Sequence, residues 1–139
     1  MKPFMLMAPV LAALVALPVA SLAAGEPAAA NSRGEAKLAK MLEGRVAGEP
    51  VSCLRPMQQD RMSVIDGTAF VFRDGRTIWV NRPASARFLD DSDIPVFTLH
   101  GSSLCRLDQV EMRDRTSMMR GPVFVLEEFV PYTRPAEEG

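Results

Sequence analysis

Apolar residues fill the start of the chain almost without interruption: after Lys2 no charge occurs until Glu26. A short basic start, an apolar middle and small residues at the exit are the three parts of a secretory signal peptide. Pro18 breaks the apolar helix shortly before Ser21-Leu22-Ala23, whose small residues suit signal peptidase. The pattern predicts a signal peptide over 1–23, cut after Ala23, with Ala24 as the alternative. An uncleaved anchor is the rival reading, because a run of about 20 apolar residues can span a bilayer. Pro18 and the Ala-rich exit weigh against it. No cysteine lies just past the cut, so lipid attachment there is not expected.

Residues 24–34 are small, polar and aperiodic, and read as a flexible arm ahead of a single domain over 35–135. Ser32 and Glu35 have capping-box spacing. Leu38, Met41 and Leu42 then recur at helical spacing, and Gly44 can close the helix with positive φ. The reading is a short amphipathic helix over about 33–43. From Arg61 to Asn81, two Asp-Gly pairs separate three β-prone runs, predicting a meander over 60–65, 68–73 and 76–81 with two-residue turns. In that register Thr68 faces Ile65, Val71 faces Met62 and Ile78, and Phe70 faces Trp79. One face then holds Met62, Val64, Ala69, Val71, Ile78 and Val80. The other holds Ile65, Phe70, Phe72 and Trp79 among Ser63, Thr68 and Thr77.

Beyond the meander, 82–93 reads as a loop, and 95–100 and 104–112 as strands. A last strand covers 122–132, open to interruption at Glu127-Glu128, before a frayed tail at 136–139. The expected architecture is a β-rich α+β domain: a small antiparallel sheet of about six strands, as an open roll or small sandwich, with one N-terminal helix.

Composition adds little to this. Without residues 1–23 the chain has 116 residues, with 15 basic against 17 acidic, a net charge of −2. That length suits one modest core. The balance gives no electrostatic reason to expect nucleic acid or, after cleavage, a membrane as partner. The two cysteines add more. An exported chain reaches an oxidising compartment, where Cys53 and Cys105 most simply form one bridge. A metal site would need more ligands than two distant cysteines and one histidine supply, so no metal or cofactor is expected.

The segments AKLAKMLEGRVAGEPVSC, IDGTAFVFRDGRTIWVNRP, LCRLDQV and EFVPYTRP resemble recurrent blocks of small, uncharacterised exported proteobacterial proteins. The resemblance runs from about Glu35 to Pro135 and includes both cysteines. It implies export, to the periplasm or beyond, and a disulfide. It implies no activity, substrate or catalytic residue.

Candidate chemistry is sparse. His100 is the only histidine; with Ser102 or Ser103 and an acid such as Asp91 it could form a nucleophile–base pair, although a turn between strands reads equally well. Asp90, Asp91 and Asp93 offer oxygen ligands for calcium but lack the rest of an EF-hand loop. Glu127 and Glu128, adjacent in a strand, would point to opposite faces and so would not form a glycosidase pair. Phe70, Phe72 and Trp79 would be a ligand or partner surface if open, and a second core layer if covered by the helix stripe or another strand. The leading expectation is therefore a non-enzymatic periplasmic protein, either an interaction module or an envelope accessory factor. A hydrolase inhibitor presenting 82–93 as a rigid exposed loop is one concrete form of it. The alternatives are a small hydrolase centred on His100 and an apolar-ligand binder using Phe70, Phe72 and Trp79.

Overall fold

The structure is a computed structural model describing residues 28–58 and 61–136; the segment read as a signal peptide lies outside them. Helix α1 (Ala28–Met41) is followed by ten strands: β1 (Val46–Ala47), β2 (Cys53–Leu54), β3 (Met62–Ile65), β4 (Ala69–Asp74), β5 (Thr77–Asn81), β6 (Ile94–Thr98), β7 (Leu104–Cys105), β8 (Gln109–Arg113), β9 (Arg120–Val125) and β10 (Phe129–Thr133). They form a five-stranded sheet of order β1-β10-β5-β4-β3, a three-stranded sheet β6-β8-β9, and the two-residue pair β2-β7. Every pairing is antiparallel. Ten strands exceed the six expected, in part because β1, β2 and β7 have only two residues each.

Strand β4 explains the layering. Ala69, Phe70, Val71 and Phe72 are all buried, so both faces of this strand are covered, and two cores result. Ala69 and Val71 pack with Ile65, Ile78, Val80 and Leu38 of the helix. Phe70 and Phe72 face the three-stranded sheet, among Val110, Met112, Phe124 and Phe129. There Phe70 meets Phe124 edge-on at 5.9 Å and Phe72 meets Phe129 at 5.8 Å. Edge-to-face pairing suits the ring quadrupole. The aromatic face is thus a core layer, covered by a second sheet, while the helix docks on the opposite face.

The meander forms where the sequence places it, but its register differs. Val64 pairs with Phe70 and Ile65 with Ala69, so the first turn holds three residues, 66–68, instead of two. Gly67 has φ +58, whereas Asp66 is not among the positive-φ residues, so the type I′ turn is not used. A one-residue slip inverts a strand's faces. Met62 and Val64 accordingly join the aromatic core, and Ile65 joins the helix side. In the second hairpin Asp74 pairs with Thr77, leaving Gly75-Arg76 as the turn. Only Gly75 there has positive φ, +54. That slip is two residues, and the faces survive it.

Helix α1 begins at Ala28, taking in residues read above as part of the arm; the alanine run of 28–30 favours helix intrinsically. Ser32 consequently lies inside the helix and not at its cap. Glu35, the other half of the expected box, pairs with Arg82 (Nη2–Oε2 3.0 Å). Gly44 does close the helix, at φ +70. What sets the helix on the sheet is Gly34. A Cβ there would lie 2.0 Å from Thr68 Oγ1 and 2.2 Å from the Asp66 carbonyl. Thr68 cannot yield easily, being buried and bonded to Asp66 O at 2.8 Å. Gly34→Ala is therefore expected to lower stability by about 1–3 kcal/mol through overpacking, despite alanine's helix propensity. Urea denaturation checks this, and a gain in stability would show that the helix does not rest on the 66–68 turn.

The remaining strands depart from expectation at one place. The run 104–112 is broken into β7 and β8 by a turn in which Asp108 N–H bonds Cys105 O at 3.1 Å and Leu107 takes φ +71. Leu107, counted above as an apolar strand position, is exposed. The final run is interrupted at Glu127-Glu128, as read. Fully buried Asn81 holds that interruption: its Nδ2 donates to Glu127 O at 2.6 Å, and its Oδ1 accepts from Glu127 N–H at 3.2 Å.

Candidate functional site

The cysteines are bridged. Cys53 and Cys105 stand directly opposite each other in the β2-β7 pair, with Cα atoms 4.0 Å apart. Their neighbours Leu54 and Leu104 point inward and are buried, anchoring both strands to the aromatic core. Alternation therefore turns the bridge outward, and Cys53 is exposed. The disulfide points to an oxidising, extracytoplasmic compartment. No helix among the described residues is long and apolar enough to cross a membrane.

The bridge forms part of an open cleft of about 300 Å³, walled by His100, Gly101, Ser102, Ser103 and Asp108. Asp108 organises it. Its Oδ2 accepts the Cys105 backbone N–H at 2.8 Å, and its Oδ1 lies 2.8 Å from His100 Nδ1. Burial pushes the Asp108 carboxyl upward, but the Cys105 N–H and the His100 ring outweigh it and hold the carboxyl below its ordinary value. An ionised carboxylate only accepts, so Nδ1 donates to it. The imidazole side chain is 74% exposed. Among the described residues no hydroxyl of Ser102 or Ser103 hydrogen-bonds the ring, so the arrangement is an oriented base without a bonded nucleophile.

The acid that orients His100 is thus Asp108 and not Asp91, which instead pairs with Lys37 at 3.4 Å. Asp108 was visible in the sequence only as a charge inside an otherwise strand-like run, LCRLDQV. Asp90 and Asp91, in the loop after β5, converge within 4.8 Å with the carboxylate of Asp66 from the β3–β4 turn, all three exposed. Asp93 is not one of them, and Asp90 Oδ1 is engaged by Ser92 N–H (2.8 Å) and Oγ (2.6 Å). The same loop carries a 3₁₀ turn at Ala86–Phe88. Leu89 is buried beneath it and Phe88 is exposed, with the Arg87 guanidinium 4.4 Å from the ring centre.

Phe70 and Phe72 are buried in the core, and Trp79 is half-buried and packs against the same cluster. Glu127 and Glu128 are exposed, and Glu128 lies 3.8 Å from Arg106. They border a second cleft of about 440 Å³ together with Arg82, Val130 and Tyr132, whose cations are engaged by Glu35 and Glu128.

The sequence reading missed the outer face of the three-stranded sheet. Val96 and Val123 both pair with Glu111, and Val125 with Gln109, which puts all three valines on the side away from the core. All three are exposed, as are Met118 and Met119 in the turn between β8 and β9. Between the valines, Glu111 is neutralised by Arg113 Nε at 2.8 Å and Arg120 Nε at 3.6 Å. Pro95 and Pro122 sit on the two outer strands of this sheet, the place where proline is tolerated, and discourage strand addition there.

Comparison with family models, with curated proteins and with solved structures gives no match.

Proposed function

We propose that this chain is an exported, non-enzymatic interaction module of the periplasm or cell surface, released from a signal peptide at Ala23 and locked by its disulfide. The reading is carried by the outer face of the β6-β8-β9 sheet. Exposed Val96, Val123 and Val125 share that face with a glutamate neutralised by two arginines, and exposed Met118 and Met119 follow in the adjoining turn, a composition that suits contact with a protein surface. A kinship with small exported proteobacterial proteins belongs to the same reading. The test is a photo-crosslinking residue placed at Val123, or at Arg73 on the other sheet as control, in the protein exported by its own host. One adduct of defined mass at 123, absent at 73 and absent when Met119→Glu and Val125→Glu are added, is the expected result. Equal labelling at the two positions, or none at 123, would overturn it.

A small hydrolase centred on His100 is the second reading, favoured by the His100–Asp108 bond. Turnover of an activated ester by the wild type, abolished in His100→Gln, would turn the assignment toward it.

A further inference from the structure

We infer that the Cys53–Cys105 bridge is a thiol–disulfide exchange site, attacked at the Cys53 sulfur by a dithiol protein. Three observations carry this, none of them involving the valine face. First, the bridge is directed out of the fold: Cys53 is exposed, and both cysteines line the open cleft. An exposed disulfide is the kind that exchanges, because rate depends on access to a sulfur. Second, the cleft is also lined by Gly101, Ser102 and Ser103, whose small side chains leave room for an incoming thiolate. Third, the strands do not depend on the bridge alone. Leu54 and Leu104 stay in the core, Arg106 N–H bonds Ser52 O at 2.7 Å, and Asp108 holds the Cys105 N–H at 2.8 Å. Opening the bridge therefore releases a surface link and leaves the fold standing.

The two sulfurs are unequal. Cys53 is exposed, whereas Cys105 is half-buried and lies in the segment fixed by Asp108. Attack falls on Cys53: a new bond forms between the incoming sulfur and Cys53 Sγ, the Sγ–Sγ bond breaks, and Cys105 leaves as a thiolate that takes a proton from water in the cleft. The partner's second thiol, after losing its own proton, then attacks the partner sulfur of the mixed disulfide and expels the Cys53 thiolate. The bridge gains two electrons, and the partner's dithiol becomes its disulfide.

The experiment uses the oxidised, exported protein and a thioredoxin-type dithiol protein whose resolving cysteine is replaced by alanine, which stops the reaction at the mixed disulfide. Under native conditions the expected product is a one-to-one adduct. Peptide mapping should place it on Cys53 in about tenfold excess over Cys105, in keeping with their difference in access. Far-UV circular dichroism of the wild type reduced by dithiothreitol should match that of the oxidised protein. An adduct chiefly on Cys105 would overturn the assignment of the attacked sulfur. Reduction only in urea, or loss of the native spectrum on reduction, would overturn the site as a whole.

Discussion

Replacing Cys53 and Cys105 together by alanine lowers the unfolding free energy by about 4 kcal/mol, the chain-entropy value for a loop of this size. The bridged residues are 52 positions apart, so the link removes a large part of the unfolded chain's freedom. The native side of the balance changes little, because the bridge projects from the fold and the inward leucines beside it stay packed. A loss of this size is a sizeable fraction of the about 5–15 kcal/mol that holds a domain together, yet the variant still folds at room temperature. Urea denaturation of the variant and the oxidised wild type measures the difference. A loss below about 1 kcal/mol would mean that the unfolded chain is already restrained in this region.

The second large effect is expected at Asn81, where Asn81→Leu costs about 3 kcal/mol. Leucine has nearly the same shape but strands the Glu127 carbonyl and N–H, each of which then loses its partner at a cost of about 1–3 kcal/mol. The corner joining the two sheets loosens with it. Asn81→Asp separates polar from steric causes. It keeps the acceptor for Glu127 N–H but sets a carboxylate against the Glu127 oxygen, so its folded-state pKa is raised. A raised pKa means full stability below the unfolded value, near 4, and a loss that grows as pH rises above it. Chemical denaturation at pH 4 and pH 7 reads this directly. A penalty independent of pH would exclude charge against carbonyl as the cause.

Much of the fold follows from local pattern. Two Asp-Gly pairs and alternating apolar residues place the meander within one or two residues of where it lies, and Leu38 and Gly44 mark the face and end of the helix. The disulfide was legible from two cysteines in a chain that opens on an apolar run. What pattern could not supply was decided by contacts distant in sequence. Thr68 joins the first turn, which packs beneath Gly34, and the extra turn residue inverts β3. Asn81 reads as a strand terminus until its partners, 46 residues later, are in place. Asp108 looks like one more charge on a strand, and only the turn at Leu107 swings its carboxylate under both Cys105 and His100. The valines of the outer sheet face resemble ordinary core alternation, since a sequence shows which residues share a face and not which face stays uncovered.

The place of β10 has a consequence for the order of events in the cell. The last strand of the chain lies between β1 and β5, inside the five-stranded sheet. A chain delivered N-terminus first brings out the helix and the meander long before this strand, and β1 has no neighbour in the sheet until residues 129–133 arrive. Completion of the sheet therefore waits for residues 129–133. Until then the five-stranded sheet stays open between β5 and β1, and a truncation at residue 128 leaves a gap within the sheet, not a frayed margin.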